Sequence, residues 1–328
     1  MATPQTLQQA IRYYSDEQVC IDTVASLRWA DGKPTCPACG KQEHYYLKTQ
    51  KRWKCKECYK QFSVKVGTIF EDSALSLDKW LTALWMLVNC RNGVSSYEVA
   101  RALGITQKSA WFLMHRLRVA LRDGSITKLG GEGSEVEVDE TFVGGKLKNM
   151  HVAKRVKYRQ LSASEKNAGS VGKAVVIGML DRTARQIRAS VVPDTSRLSL
   201  QTQVLQNIHH GTNVYTDEAH AYKRLKQNDY VHEVVNHVET YVRGRVHTNG
   251  LENFWCLLKR GLNGTYVAVE PFHLERYVDE QAFRFNHRKD AEGQKLSDGD
   301  RFNAALARIG GKRLTYSELT GKDSEAPF

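Results

Sequence analysis

No stretch of this 328-residue chain stays apolar for long. The longest run, Trp80 to Val88, spans nine residues and already includes Thr82, less than half of the roughly 20 that a membrane-crossing helix needs. A membrane span is therefore not expected. The opening Met1-Ala2-Thr3-Pro4-Gln5 lacks the basic-then-apolar order of a secretory leader, so we expect a reducing, cytoplasmic setting. In that setting the seven cysteines need a reason other than disulfides. Low-complexity tracts and internal repeats are also missing, which argues against a fibrous or wholly disordered chain. Acid is in deficit: 48 Lys+Arg face 36 Asp+Glu, a formal +12, and such a balance favours a polyanionic partner such as nucleic acid.

What is present has the length of two domains with accessory segments, at about 150 residues per domain. Residues 77 to 122 look helical, with Leu77, Trp80, Leu81, Leu84, Trp85 and Val88 at helical spacing. A Gly-rich break from Asp123 to Ser134 marks a linker and domain boundary. Beyond it the period changes. Glu135–Asp139, Ala174–Leu180 and Gln186–Val192 read as an antiparallel meander. A helix from Leu198 to Ile208, a strand over 213–216, a helix over 221–225, a strand over 231–235 and helices over 248–260 and 271–287 follow. Three antiparallel strands and then strands alternating with helices predict an α/β layered domain. Between its first two strands, Gly144 to Lys173 carries eight Lys/Arg against Glu165 alone, +7 of the whole +12, and reads as an inserted basic loop.

Cys36-Pro37-Ala38-Cys39 and Cys55-Lys56-Glu57-Cys58 form a C-x2-C-x15-C-x2-C array, the spacing of a structural zinc site with four thiolates. Cys20, Cys90 and Cys256 lie in apolar or helical surroundings and read as inert thiols. The ribbon is basic and aromatic, which suits contact with DNA or with a protein; the sequence leaves both open. Ser95 to Trp111 reads as a capped helix, a Gly at the turn and a second helix after Thr106, the helix-turn-helix layout. Gln107, Lys108 and Ser109 stand at the start of that second helix, where recognition helices meet base edges. From Arg101 to Arg122 there are five Lys/Arg and no acid.

Three acids stand out in the second domain: Asp139 on the first strand, Asp217 after a short strand, and Glu252 near the start of a helix. A two-metal site needs carboxylates brought together from separate elements. On that last helix Asn249, Glu252, Cys256 and Lys259 share one face beside the stripe of Leu251, Phe254, Trp255 and Leu258. Taken singly, Asp217 could be a helix cap, Asp139 one solvated acid among Glu135, Glu137 and Glu140, and Glu252 a favourable charge at a helix start. Six of the eleven histidines lie between His209 and His247, at spacings that fit no tight ligand motif.

The order Arg28-Trp29-Ala30-Asp31-Gly32, Cys36-Pro37-Ala38-Cys39-Gly40, Trp53-Lys54-Cys55-Lys56-Glu57-Cys58, Val138-Asp139-Glu140-Thr141-Phe142-Val143-Gly144-Gly145, Tyr215-Thr216-Asp217-Glu218 and His247-Thr248-Asn249-Gly250-Leu251-Glu252-Asn253-Phe254-Trp255 resembles the bacterial zinc-ribbon insertion-sequence transposases of the DDE type, whose catalytic domain is RNase H-like. The resemblance implies an N-terminal helical segment (1–32), a zinc ribbon (33–64), a helix-turn-helix region (75–123), a linker (124–134), a catalytic domain (135–290) with a basic insertion (144–173), and a C-terminal segment (291–328). It implies a transposase that binds terminal inverted repeats and target DNA, associates with the nucleoid, and forms a homo-oligomer on the DNA ends. Asp139, Asp217 and Glu252 would then hold two Mg²⁺ or Mn²⁺ ions, with Lys259 beyond the third acid. In parts of the family the third ligand is Asn, here Asn249; we prefer Glu252 for its 34-residue spacing from Asp217 and the stronger metal affinity of a carboxylate. Lys154, Arg155 and Lys157 of the basic loop would contact DNA. The alternatives are a DNA-binding regulator with an inactive RNase H-like domain and a nuclease without strand transfer.

Overall fold

The computed structural model describes residues 3–145, 152, 156, 172–217, 222, 230–235, 246–290 and 292–321. The chain divides into two compact units, Met1–Arg122 with His287–Phe328, and Asp123–Asn286. Among the described residues, no helix is long and apolar enough to cross a membrane.

In the first unit Thr6 and Asp16 cap α1 (Leu7–Tyr13) and α2 (Glu17–Arg28), each accepting a backbone N–H that the helix start leaves without a partner. Three short antiparallel strands follow in the order β1 (His44–Leu47), β2 (Arg52–Cys55) and β3 (Gln61–Phe62). Their apolar face packs Trp53 on Phe62, with ring centroids 5.9 Å apart, and against Trp29 and Tyr46. α3 (Leu77–Asn89) buries the predicted stripe of Leu77, Trp80, Leu81, Leu84, Trp85 and Val88, worth about 1.5–3 kcal/mol for each large side chain. α4 (Ser96–Leu103) opens on a reciprocal capping box between Ser95 and Glu98, and Gly104 at φ 60° turns the chain into α5 (Gln107–Leu121).

Two expectations about this unit change. Of the five basic residues from Arg101 to Arg122, Arg116 and Arg118 are buried. The Arg116 guanidinium donates to the Glu71 carbonyl and lies over the Trp80 and Phe112 rings, so the charge this region can offer to solvent is smaller than the sequence suggests. The C-terminal stretch, set apart by the sequence reading, instead completes the first unit's core. Phe302 packs on Trp85 and Tyr14, and Lys312 Nζ donates to the carbonyls of Ala120 and Arg122 at the end of α5.

The second unit is built on a five-stranded sheet in the order β6-β5-β4-β7-β8. Its strands are β4 (Glu135–Val143), β5 (Ala174–Asp181), β6 (Gln186–Val192), β7 (Asn213–Asp217) and β8 (Val231–Val235). The first three pair antiparallel, while β7 pairs parallel with both β4 and β8. This mixed sheet is consistent with an RNase H-like fold. Alternation along the strands divides the core. Val136, Val138, Val175, Ile177 and Met179 pack with Leu200 and Val204 of α6 (Arg197–Asn207). Val176, Leu180 and Ile187 meet Leu251, Phe254, Trp255 and Leu258 of α7 (Asn249–Gly261) and Leu274, Tyr277 and Val278 of α8 (Pro271–Asn286). The Gly-rich stretch read as a linker is partly anchored. Leu129 exchanges backbone bonds with Asn207 and His209, Gly130 N–H donates to Asp181, and Gly131 N–H donates to the Thr212 hydroxyl. The helix expected over 221–225 and most of the basic loop lie outside the described residues.

Candidate functional site

Two equivalent tight turns bring the four cysteines together. Cys36 N–H donates to the Lys41 carbonyl at 2.8 Å, and Cys55 N–H donates to the Lys60 carbonyl at 3.0 Å. Across the turns Cys36 Sγ lies 3.6 Å from Cys58 Sγ, and Cys39 Sγ lies 3.5 Å from Cys55 Sγ. All four sulfurs fall within 4.8 Å of one another. A tetrahedral zinc with Zn–S near 2.3 Å sets its sulfurs about 3.8 Å apart, so the donor set fits that ion.

The three carboxylates come from β4, the last residue of β7 and the first turn of α7. Asp139 pairs across the sheet with Gly178. A Cβ at Gly178 would stand 2.7 Å from the Trp255 ring; its absence lets the indole lie against the sheet, where Trp255 Nε1 donates to Asp139 Oδ2 at 2.9 Å. Burial pushes the Asp139 carboxyl up to about 6, opposed by the Trp255 hydrogen bond and reinforced by the charges of Asp217 and Glu252. Those acids are thus close enough to repel one another. They are not drawn as tightly together as the cysteines, which among the described residues are the group whose ligand atoms lie within 4.8 Å. Ligands shared between two cations about 3.5–4 Å apart form a wider set than the shell of a single ion. Carboxylates on the central strand, at the end of its parallel neighbour and on the helix above them are a donor set that hard divalent cations fit.

Glu252 is exposed in the first turn of α7, with Asn249 exposed at the helix's first residue and Lys259 exposed two turns further on. In the other unit Lys108 is exposed, with its ammonium 4.9 Å from the centre of the Tyr316 ring. Gln107 and Ser109 are half-buried: Gln107 Nε2 donates to Ser96, and the Ser109 and Thr106 hydroxyls are hydrogen-bonded to each other. Lys154, Arg155 and Lys157 lie outside the described residues.

Glu137 is not singled out by the sequence, where it is one of the acids around Asp139. Glu137 is 1 % exposed. It accepts from Arg182 Nε at 2.7 Å and from the backbone N–H of Leu251 at 3.0 Å, and His247 Nδ1 lies 3.5 Å away. Arg182 also donates to Glu135 and to the His247 carbonyl. Gly250 permits this approach, because a Cβ there would collide with the Leu180 side chain and stand 2.9 Å from the Glu137 carboxylate. The first turn of α7, with Asn249 and Glu252, is thereby tied to the strand of Asp139. Period-two alternation, which sets Glu137 and Asp139 on one face, was the available signal. Glu140 points to the opposite face, where Tyr222 OH donates to it at 2.6 Å. Burial pushes Glu140 up to about 7, against the Tyr222 bond and with the charges of Asp217 and Asp139.

The family described as ISXO2-like transposase domain matches residues 128–286, and the one described as transposase zinc-ribbon domain matches residues 15–61. A protein of Halobacterium salinarum, described as an uncharacterized protein in transposable element ISH50, is 26 % identical over 258 residues, 77 % of this chain and 85 % of that protein. One solved structure, an intasome of simian T-cell lymphotropic virus in complex with PP2A regulatory subunit B56 gamma, aligns at a TM-score of 0.27 and 13 % identity. That alignment spans 60 % of this chain and 66 % of the other. The two family matches cover more than half of the sequence, and with the four-cysteine ribbon and the mixed five-stranded sheet they place this chain among the zinc-ribbon insertion-sequence transposases.

Proposed function

We propose that this chain is a DNA transposase that binds the terminal inverted repeats of its element and carries out metal-dependent strand cleavage and strand transfer into target DNA. What supports this reading is that Asp139 on β4, Asp217 at the end of the neighbouring parallel strand β7 and Glu252 in the first turn of α7, a turn tied to β4 through Glu137 and Trp255, come from three elements packed together. When bound, two Mg²⁺ or Mn²⁺ ions would supply activation of an attacking water or 3′-hydroxyl and neutralisation of the leaving oxygen. Asp139, Asp217 and Glu252 hold that site, Trp255 fixes the rotamer of Asp139, and Asn249 stands beside Glu252 as a neutral donor. Lys259 holds a DNA phosphate beside the acids. Zinc in the ribbon is structural. The ribbon (33–64) and the helix-turn-helix region (75–123), through Lys108 above all, recognise DNA; the chemistry belongs to 135–290, with Lys154, Arg155 and Lys157 on duplex phosphates. Two or more copies act together on paired DNA ends.

The test incubates the full chain, Mg²⁺ and labelled DNA ends from the element flanking its gene, scoring cleavage and joining on one gel. Asp139→Asn, Asp217→Asn and Glu252→Gln should each lower cleavage by about 100-fold or more, with binding of the ends retained. Cleavage without joined product supports the nuclease reading, and binding without cleavage the regulator. If Asn249→Ala is inactive while Glu252→Gln is not, the third ligand is Asn249.

A further inference from the structure

The ribbon's two metal turns share one backbone conformation, each closed by a bond from the first cysteine's N–H to the carbonyl five residues on, but they differ in the residue that takes the left-handed position. After Cys39 comes Gly40 at φ 73°; in the same place after Cys58 comes Tyr59 at φ 60°. That left-handed backbone suits glycine and strains a side chain with a Cβ. Tyr59 gains no burial in return, since it is 71 % exposed. The turn needs that conformation but not a side chain there, as Gly40 shows, so a strained and exposed Tyr in its place points to a use for the ring itself.

A second exposed ring is linked to it through Lys54. Tyr45 on β1 is 60 % exposed and lies directly across the strand pair from Lys54. Lys54 Nζ is 5.9 Å from the centre of the Tyr59 ring, and Lys56 Nζ is 5.0 Å from the centre of the Tyr45 ring. Trp53 and Phe62 turn to the opposite, buried face. The outer face of the ribbon therefore presents two aromatic rings interleaved with ammonium groups. From His44 to Phe62 the sequence holds six Lys/Arg against Glu57 alone. Lys51 is paired with Glu17, while Lys48, Arg52, Lys56 and Lys60 are exposed.

We propose that this face binds single-stranded DNA, stacking unpaired bases on Tyr45 and Tyr59 while Lys54, Lys56 and their neighbours hold the backbone. Aromatic rings among cations are the chemistry of single-strand platforms, because every base offers a π-face once it is unstacked and the phosphates need counter-charge. A duplex keeps its base faces occupied and gains only from the charges. The role goes beyond recognition of the terminal repeats and takes DNA as partner from the transposase reading, but its test needs no catalysis.

Full-length protein carrying Asp139→Asn, so that DNA stays uncut, is titrated into a labelled oligothymidylate of about 12 nucleotides and into a duplex of equal length, following fluorescence anisotropy at fixed salt. Tyr45→Ala and Tyr59→Gly should each weaken single-strand binding by roughly five- to tenfold and their combination by more, with duplex binding changed less than about twofold. Tyr45→Phe should bind like the parent. Tyr59→Gly relieves the strained backbone, so its zinc content and thermal midpoint should equal or exceed the parent's, which separates loss of the ring from loss of the fold. The proposal is overturned if zinc-replete Tyr45→Ala and Tyr59→Gly bind the oligonucleotide as the parent does, or if single-strand and duplex affinities fall by the same factor. Cleavage at the element's ends is scored separately and stands or falls without this result.

Discussion

The cysteine ribbon and the carboxylate cluster gather metal-binding side chains in opposite ways. The ribbon draws four ligands from a short stretch of chain, Cys36 to Cys58, using two local turns, and its sulfurs already stand near tetrahedral spacing. The carboxylates come from positions 139 to 252, rely on a sheet and a helix packed on it, and remain more widely spaced. The difference is electrostatic as well as topological. Neutral thiols can crowd, and they ionise as the metal binds; carboxylates repel, and Asp139 holds its proton more tightly through its own burial first and the charges of Asp217 and Glu252 second. A structural centre can thus be encoded locally, whereas the catalytic candidate depends on the packing that orients it.

The largest expected effect tests the local side of the contrast. Cys55→Ser should abolish zinc binding and unfold the ribbon, since such a site contributes about 10–16 kcal/mol of apparent binding energy at neutral pH. Metal analysis with limited proteolysis of residues 33–64 reads it; a metal-free ribbon that stayed protected would mean its aromatic core suffices.

The next effect tests the packed side. Glu137→Ala leaves the Leu251 N–H and Arg182 Nε without their acceptor, while Arg182 keeps Glu135 and the His247 carbonyl, and should cost about 1–3 kcal/mol in urea unfolding. Glu137→Gln keeps one of the two acceptor oxygens and sets an NH2 against the other donor; it should unfold less readily than Glu137→Ala, yet weaken Mn²⁺ affinity by about 10–100-fold through misplacement of the α7 turn. Unchanged metal affinity in both variants would separate this network from the acids.

Gly178→Ala should cost about 1–3 kcal/mol by forcing the Trp255 ring off the sheet. Loss of the Trp255 hydrogen bond to Asp139 should accompany it, seen as a shift in tryptophan emission. A variant as stable as the parent would show that the indole position is soft.

The smallest effect is in pH. Asp139 rises from 3.8 to about 6 and Glu140 from 4.5 to about 7, so the folded state holds these protons more tightly than the unfolded one. Their stabilising contribution is fully present below about pH 4 and is lost as pH rises through about 6 to 7. In chelator, Glu140→Gln should therefore gain thermal stability relative to the parent at about pH 8 more than at about pH 5, and added Mg²⁺ should narrow the gap. The opposite trend would mean that the acids are already neutralised by the protein.

Much of this was legible without a structure. The cysteine spacing, the buried stripes of α3 and α7, the capped helices around Gly104 and the order of strands after Ser134 all follow from short-range patterns. Other features were not. Arg116 and Arg118 count as surface charge in any sequence tally, yet both are buried, Arg116 against the Trp80 ring and the Glu71 carbonyl. The C-terminal stretch shows no signal that it completes a core whose other parts lie some 200 residues earlier.

What the sequence by itself determined is therefore whatever depends on residues within one or two turns of each other: the cysteine turns, the caps and the helix faces. The tertiary structure alone decided that Glu137 ties α7 to β4, that Gly178 makes room for Trp255 against Asp139, and that Glu140 lies with Tyr222 on the other face. Those outcomes require pairing of positions about 40 to 115 residues apart, which depends on sheet register and side-chain volume rather than on local spacing.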